Sequence, residues 1–206
     1  MNKWKLLSEP FPRDLSEEER LKKIIKIILE NRGIKEKKTI EKFLNPSLEN
    51  LTPGSVGINK EELSKAIKRV KKAIENKESI IVFGDYDVDG ICGSAILWET
   101  LSLLGAKTLP YIPHRLDEGY GLSVKGIENL KLKIENCSLI ITVDNGIVAG
   151  KAVDYANKNG IDVIITDHHA PSKNLPKAYA IVHTIRLCGA GVAWALAQEL
   201  KIKNEK

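Results

Sequence analysis

The sequence predicts an α/β fold: a parallel sheet with helices on both faces, preceded by a small helical N-terminal region. Two observations carry this expectation. Ser79-Ile-Ile-Val-Phe83, Ser138-Leu-Ile-Ile-Thr142 and Ile161-Asp-Val-Ile-Ile165 are short β-branched runs, each closing on an aspartate-bearing turn. Such runs, bounded by Asp, Asn or Gly, read as buried strands. A stretch of helical spacing separates each from the next, the alternation that builds a parallel sheet.

The elements follow in order. Residues 1–15, with Pro10 and Pro12, read as an extended arm. Ser16 is a helix N-cap, and Glu19 completes a capping box. Leu21, Ile24, Ile25, Ile27 and Ile28 carry that helix on to Asn31-Arg32-Gly33, a stop signal. A second short helix spans 39–44 and ends at Asn45-Pro46; Leu51-Thr-Pro-Gly54 is a turn. From about Asn59 to Asn76 the apolar residues Leu63, Ala66, Ile67, Val70, Ala73 and Ile74 recur at helical spacing. On that helix Lys65, Lys68, Arg69, Lys71 and Lys72 are expected to face solvent.

Beyond the first strand a helix is expected over 91–104, then a strand over 108–112 after Gly105. An irregular polar loop covers 113–121 and a helix 124–132. The crossover helix to the third β-branched run covers 148–159. A last strand at 178–182 and a last helix at 192–200 complete the pattern. The expected division is 1–58 for the arm and helical region, and 59–206 for the sheet domain.

Composition narrows the class. No apolar run is long enough to span a bilayer, and Met1-Asn-Lys-Trp-Lys5 lacks the apolar core of a signal peptide. Cys92, Cys137 and Cys188 are odd in number and far apart, which argues against a disulfide framework or a cysteine zinc site. The expected compartment is therefore reducing and cytoplasmic. The net charge of +5 is unevenly placed: residues 1–78 hold 19 basic and 13 acidic residues, the remainder 13 and 14. A basic N-terminal third beside a locally acidic site suits a polyanionic substrate, although Lys-rich helix faces are commonly just solvated.

The aspartate-bearing turns carry the chemistry. Ligand sites of parallel α/β sheets gather at the carboxyl ends of the strands. Asp85, Asp87, Asp89, Asp144, Asp167, His168 and His169 therefore converge on one edge. So many carboxylates need a compensating cation, and a bound metal pair answers that need. Asp85-Tyr-Asp87-Val-Asp89-Gly90 also fits the first half of a calcium loop. The position required to be a bidentate glutamate is Ile96, so that reading fails. Asp144-Asn145 alone fits either a turn or a ligand. Adjacent histidines at a strand end point to opposite faces, so one can ligate metal while the other meets substrate. Mixed imidazole and carboxylate donors favour Mn²⁺, with Mg²⁺ the second choice.

Gly84-Asp-Tyr-Asp-Val-Asp-Gly90, the loop His114-Arg115-Leu-Asp-Glu-Gly-Tyr-Gly121, Val143-Asp144-Asn145-Gly146 and Asp167-His168-His169 together resemble the DHH phosphoesterase superfamily. Within it they are most similar to the RecJ-type single-strand DNA exonucleases. Trp4 with Leu6-Leu7, Asn31-Arg-Gly-Ile34 and Phe43-Leu-Asn-Pro46 are similar to the N-terminal region of that group. The resemblance implies a DHH domain that hydrolyses phosphodiester bonds with two Mn²⁺ ions, working from the 5′ end of single-stranded DNA in repair and recombination. It implies Asp87, Asp89, Asp144 and His168 as metal ligands, with Asp144 bridging. Asp85 becomes a further acidic residue of the site, His169 a contact to the scissile phosphate, and Arg115 with Gly119-Tyr-Gly121 a holder of substrate phosphates.

The chain also departs from the RecJ pattern. After Leu187-Cys-Gly-Ala-Gly-Val192, where Gly189-x-Gly191 reads as helix-start packing, the family continues to another metal-binding aspartate. No acidic residue after Asp167 fits that role here; Glu199 and Glu205 sit on the last helix and tail. His183 stands where the family tends to show Asn. The associated C-terminal domains are also missing. A separately encoded C-terminal part is thus an expected partner. Two alternatives stand beside the exonuclease: a non-catalytic metal- or nucleic-acid-binding remnant or subunit, and a phosphoesterase on short oligonucleotides or cyclic dinucleotides.

Overall fold

The computed structural model describes residues 12, 14–49, 51–134 and 137–202. Most of the expected extended arm, including Trp4, Leu6, Leu7 and Pro10, lies outside them, as does Glu205. Contacts divide the chain into two compact units, Met1–Leu51 and Thr52–Lys206. The first holds α1 (Glu17–Asn31) and α2 (Lys37–Leu44). Its entry is the expected capping box: Ser16 Oγ accepts from the Glu19 N–H at 3.3 Å, and Glu19 Oε2 accepts from the Ser16 N–H at 2.9 Å. Gly33, at φ 80°, closes the helix, letting the Ile34 N–H reach the Leu29 carbonyl.

The second unit runs α3 (Lys60–Glu75), β1 (Ser79–Phe83), α4 (Val88–Leu103), β2 (Lys107–Tyr111), α5 (Val124–Lys133) and β3 (Cys137–Val143). It continues with α6 (Gly150–Lys158), β4 (Asp162–Asp167), β5 (Ala180–His183) and α7 (Gly189–Ile202). Residues 52–58, which the sequence groups with the helical region, pack with this unit. Val56 and Ile58 are buried there, and Thr184 Oγ1 donates to the Val56 carbonyl.

All strand pairings are parallel, in the order β2-β1-β3-β4-β5. The β-branched runs are buried because helices cover both faces: every residue of β1 is buried. Ile127 and Leu130 of α5 and Ala152, Val153 and Ala156 of α6, with Leu122 just before α5, pack with Ile81, Phe83, Ile140, Val163 and Ile165. The order reverses at the β1–β3 pair, the switch point where open α/β sheets bind ligands.

Two expectations are corrected. Arg69 does not face solvent: it is 6% exposed, its guanidinium 2.7 Å from Glu78 Oε2 and 2.5 Å from Asp162 Oδ2. The position falls on the buried stripe of α3, and two carboxylates at the strand starts compensate the charge. Helices α4 and α7 each begin three residues earlier than the apolar pattern indicates. Asp87 caps α4 by accepting from the Gly90 N–H at 2.9 Å, and Asp89 receives the first N–H groups of α7. Among the described residues no helix is long and apolar enough to cross a membrane.

Candidate metal centre

Each strand of the β1–β3–β4 core delivers one part of the site. After β1 the chain turns at Gly84, leaving Asp85 buried and Asp87 exposed on either side of Tyr86. Gly90 lets α4 start against that turn, since a side chain there would press within 2.6 Å of Asp85 Cβ. Burial first, then the charge of Asp85, push the Tyr120 phenol up.

After β3, Asp144 takes a left-handed conformation (φ 62°) that aspartate tolerates better than most residues. Its N–H donates to the Thr166 carbonyl at 3.0 Å, so β4 fixes it. Asn145 is 2% exposed and welds the switch point. Its Oδ1 accepts from the Leu122 N–H at 3.0 Å, and its Nδ2 donates to the carbonyls of Phe83 and Val143 at 3.2 and 2.8 Å. The sequence shows Asn145 only as a turn residue; the Asx chemistry of a strand-end Asp-Asn-Gly was the available signal.

After β4 comes Asp167, 1% exposed and engaged throughout. Its Oδ2 accepts from the Ile147 N–H at 2.9 Å, and its Oδ1 from the N–H groups of His168 and His169 at 2.7 and 3.1 Å. Asp167 therefore shapes the His-His turn and holds His169.

Two donor sets share one residue. Asp85, Asp87 and Asp144 each offer an oxygen within 4.8 Å of the others, and so do donor atoms of Asp144, His168 and His169. Asp144 Oδ1 is buried without a hydrogen-bond donor; His168 Nε2 stands 3.1 Å away, out of line for one. Burial first, then the charges of Asp89 and Asp87, push the Asp144 carboxyl up to about 7, with His169 opposing. A buried oxygen with no donor, among like charges and imidazoles, is the environment a divalent cation relieves.

Asp89 stands differently. It is absent from both sets: its oxygens accept from the Gly189 and Ala190 N–H groups at 2.6 and 2.7 Å, and its Oδ2 lies 3.7 Å from His168 Nε2. Burial raises its carboxyl, but those N–H groups, the Cys188 thiol and His168 outweigh it and hold the group below the ordinary range. Arg115 is exposed beside the site, its guanidinium 4.9 Å from the Tyr86 ring centroid, in cation–π contact.

Residues 79–206 match the family model described as the DHH family, N-terminal domain. The chain is 42% identical over 147 residues to the single-stranded-DNA-specific exonuclease RecJ of Bacillus subtilis, covering 67% of this chain and 18% of that protein. It is 37% identical to the Thermus thermophilus RecJ over 162 residues, or 74% and 24% of the two chains. A crystal structure of exonuclease RecJ bound to manganese aligns with a TM-score of 0.62 at 38% identity, over 69% of this chain and 38% of that one. The Thermus thermophilus RecJ in complex with Mn²⁺ gives 0.63 at 31% identity, over 86% and 24%. The chain thus spans less than a quarter of the length of these two curated relatives. The strands, turns and histidines assembled above all fall within the matched residues, and the chain belongs to the DHH family.

Proposed function

We propose that this chain is the metal-holding part of a phosphodiester hydrolase that degrades single-stranded DNA from its 5′ end, with Mn²⁺ as the preferred ion and Mg²⁺ as the substitute. The observation that carries the reading is Asp144: it is common to a carboxylate set and an imidazole set, and one of its oxygens is buried without a hydrogen-bond donor. This is the donor chemistry of a site for two adjacent divalent ions. Such ions supply an activated water and offset charge on the phosphate.

The chain's own residues do the rest. Asp87, Asp144 and His168 serve as ligands, with Asp85 completing the carboxylate side. Asp89 keeps a ligand role, steadied by the start of α7. Asp167 holds the proton on His169 Nδ1, since a carboxylate can only accept, and His169 Nε2 is then the acceptor atom for a group near the phosphate. Arg115, stacked on Tyr86, offers a planar set of donors to substrate phosphates. The similarity to proteins described as single-stranded-DNA-specific exonucleases supports DNA as the substrate.

One observation favours a second reading, a non-catalytic subunit. Among the described residues no acidic side chain after Asp167 joins either donor set, and Glu199 instead lines a cavity with Pro53, Ile58 and Leu63. Hydrolysis by the isolated chain is accordingly weak. The test is Mn²⁺-dependent digestion of 5′-phosphorylated single-stranded DNA, with and without a separately supplied C-terminal part. Activity restored by that part supports a half-enzyme. No cleavage in either arm overturns the nuclease reading, and robust processive degradation by the chain alone overturns the dependence on a second part.

A further inference from the structure

We propose that Gly189, at the first turn of α7, is a positioning residue of the metal centre, which fixes the direction of the Asp144 carboxylate by having no side chain. The inference rests on the metal-centre reading above and adds a residue to it.

Gly189 is buried, and its backbone is not in the left-handed region, so conformation alone would admit any residue there. Space would not. A Cβ built on Gly189 overlaps Asp144 Oδ1 and lies 2.5 Å from Asp144 Cγ and 2.6 Å from its Cβ. The carboxylate therefore lies directly on the backbone of α7. Neither partner has room to retreat. Asp144 is held from behind by its N–H bond to Thr166 and by its left-handed φ of 62°. Helix α7 is held by Asp89, which takes the Gly189 and Ala190 N–H groups at 2.6 and 2.7 Å. Across the same contact, Gly93 of α4 lies so close that a Cβ there would be 3.1 Å from Ala190 Cα and 2.6 Å from Val143 Cγ1. Turning the Asp144 side chain clears the overlap with Oδ1 but not the 2.6 Å contact with its Cβ, so an added methyl must both turn the carboxylate and push the end of β3 away from α7. Either movement displaces the carboxylate of the one residue shared by both donor sets.

The geometry also links the two aspartates. Asp89 and Asp144 both meet the same glycine, Asp89 through its N–H and Asp144 through the space at its Cα. A metal-induced shift of either carboxylate is transmitted to the start of α7.

The experiment compares Mn²⁺ titration calorimetry of wild type, Gly189→Ala and Gly126→Ala. Gly126 sits on α5, where a Cβ would meet Phe83 Cζ and Ser123 Oγ at 3.2 Å, so its variant controls for loss of packing remote from the site. The expected result is at least a tenfold loss of Mn²⁺ affinity in Gly189→Ala, with Gly126→Ala binding like wild type. Equal Mn²⁺ binding by Gly189→Ala and wild type overturns this inference alone. Absence of binding by wild type overturns the metal-centre reading, and this inference with it. Should Gly189→Ala fail to fold, a Mg²⁺ titration of wild type followed by NMR decides. The Gly189 and Ala190 amide signals must shift in step with the His168 ring signals, and amide signals that stay fixed while the ring signals move overturn the proposal.

Discussion

His169 Nδ1 lies 2.8 Å from Asp167 Oδ1, the same oxygen that receives the backbone N–H groups of both histidines. One buried carboxylate thus sets the turn, the ring orientation and the tautomer of its neighbour. A carboxylate hydrogen-bonded to one ring nitrogen in this way fixes which nitrogen is left for chemistry. It also separates the two histidines: His168 Nε2 stands against Asp144 and Asp89, whereas His169 is braced from behind.

That separation predicts different outcomes for the two rings. His168→Gln should lower the number of Mn²⁺ ions bound from two to one. His169→Gln should retain both ions while slowing any cleavage of single-stranded DNA in the assay with a separately supplied C-terminal part, by roughly 10²-fold or more, the usual contribution of a positioned acid–base group. Calorimetry and a gel-based digestion assay read the two quantities. Identical behaviour of the two variants in both assays would remove the distinction.

Asp144 predicts a trade between stability and binding. Asp144→Asn removes a charge that sits buried among Asp85, Asp87 and Asp89, so the metal-free protein should gain roughly 1 kcal/mol, a few degrees in melting temperature. Wild type should in turn be stabilised by Mn²⁺, by about 2.7 kcal/mol at a hundredfold excess over Kd, and the variant hardly at all. Thermal melts with and without Mn²⁺ test both halves. An equal Mn²⁺ shift in the variant contradicts the assignment.

The far end of the sheet predicts the acid response. Burial raises the Glu78 carboxyl, but hydrogen bonds from Asn76, Arg69 and Ser138 outweigh it and hold the group below its ordinary 4.5. A depressed folded pKa means that this stabilisation is complete above the unfolded value and is lost as pH falls through the folded one. Glu78→Gln should therefore be less stable than wild type at neutral pH, with the gap closing below about pH 4. Arg69→Ala should cost roughly 3 kcal/mol at neutral pH, because it leaves two acids at the strand starts without their cation. Urea unfolding across pH checks both, and a pH-independent gap for Glu78→Gln would count against the account.

Asn145 predicts a structural loss. Asn145→Ala strands the Leu122 N–H and the Phe83 and Val143 carbonyls together, at a cost of roughly 2–3 kcal/mol. Asn145→Asp should be no better, since a carboxylate cannot donate to those two carbonyls. Denaturant midpoints decide, and a variant within a few tenths of a kcal/mol of wild type would show the weld to be dispensable.

Local signals in the chain determined the strands, the capping box at Ser16 and Glu19, the order of the motifs and the family they resemble. They also indicated that Asp85, Asp87, Asp144 and His168 gather at one sheet edge, because β-branched runs closing on acidic turns are short-range patterns. Contacts made across long sequence separations decided the rest. The order β2-β1-β3-β4-β5 sets Asp144 beside the β1 turn. Asp89 is held by N–H groups a hundred residues further along the chain, which no spacing within its own motif discloses. Arg69 looked like one more solvent-facing cation until Glu78 and Asp162 met it in the fold. Periodicity reports which face a residue occupies. The partner that satisfies a buried charge or N–H is chosen only when distant segments pack together, and at this site those partners decide which carboxylate oxygens are left without a donor.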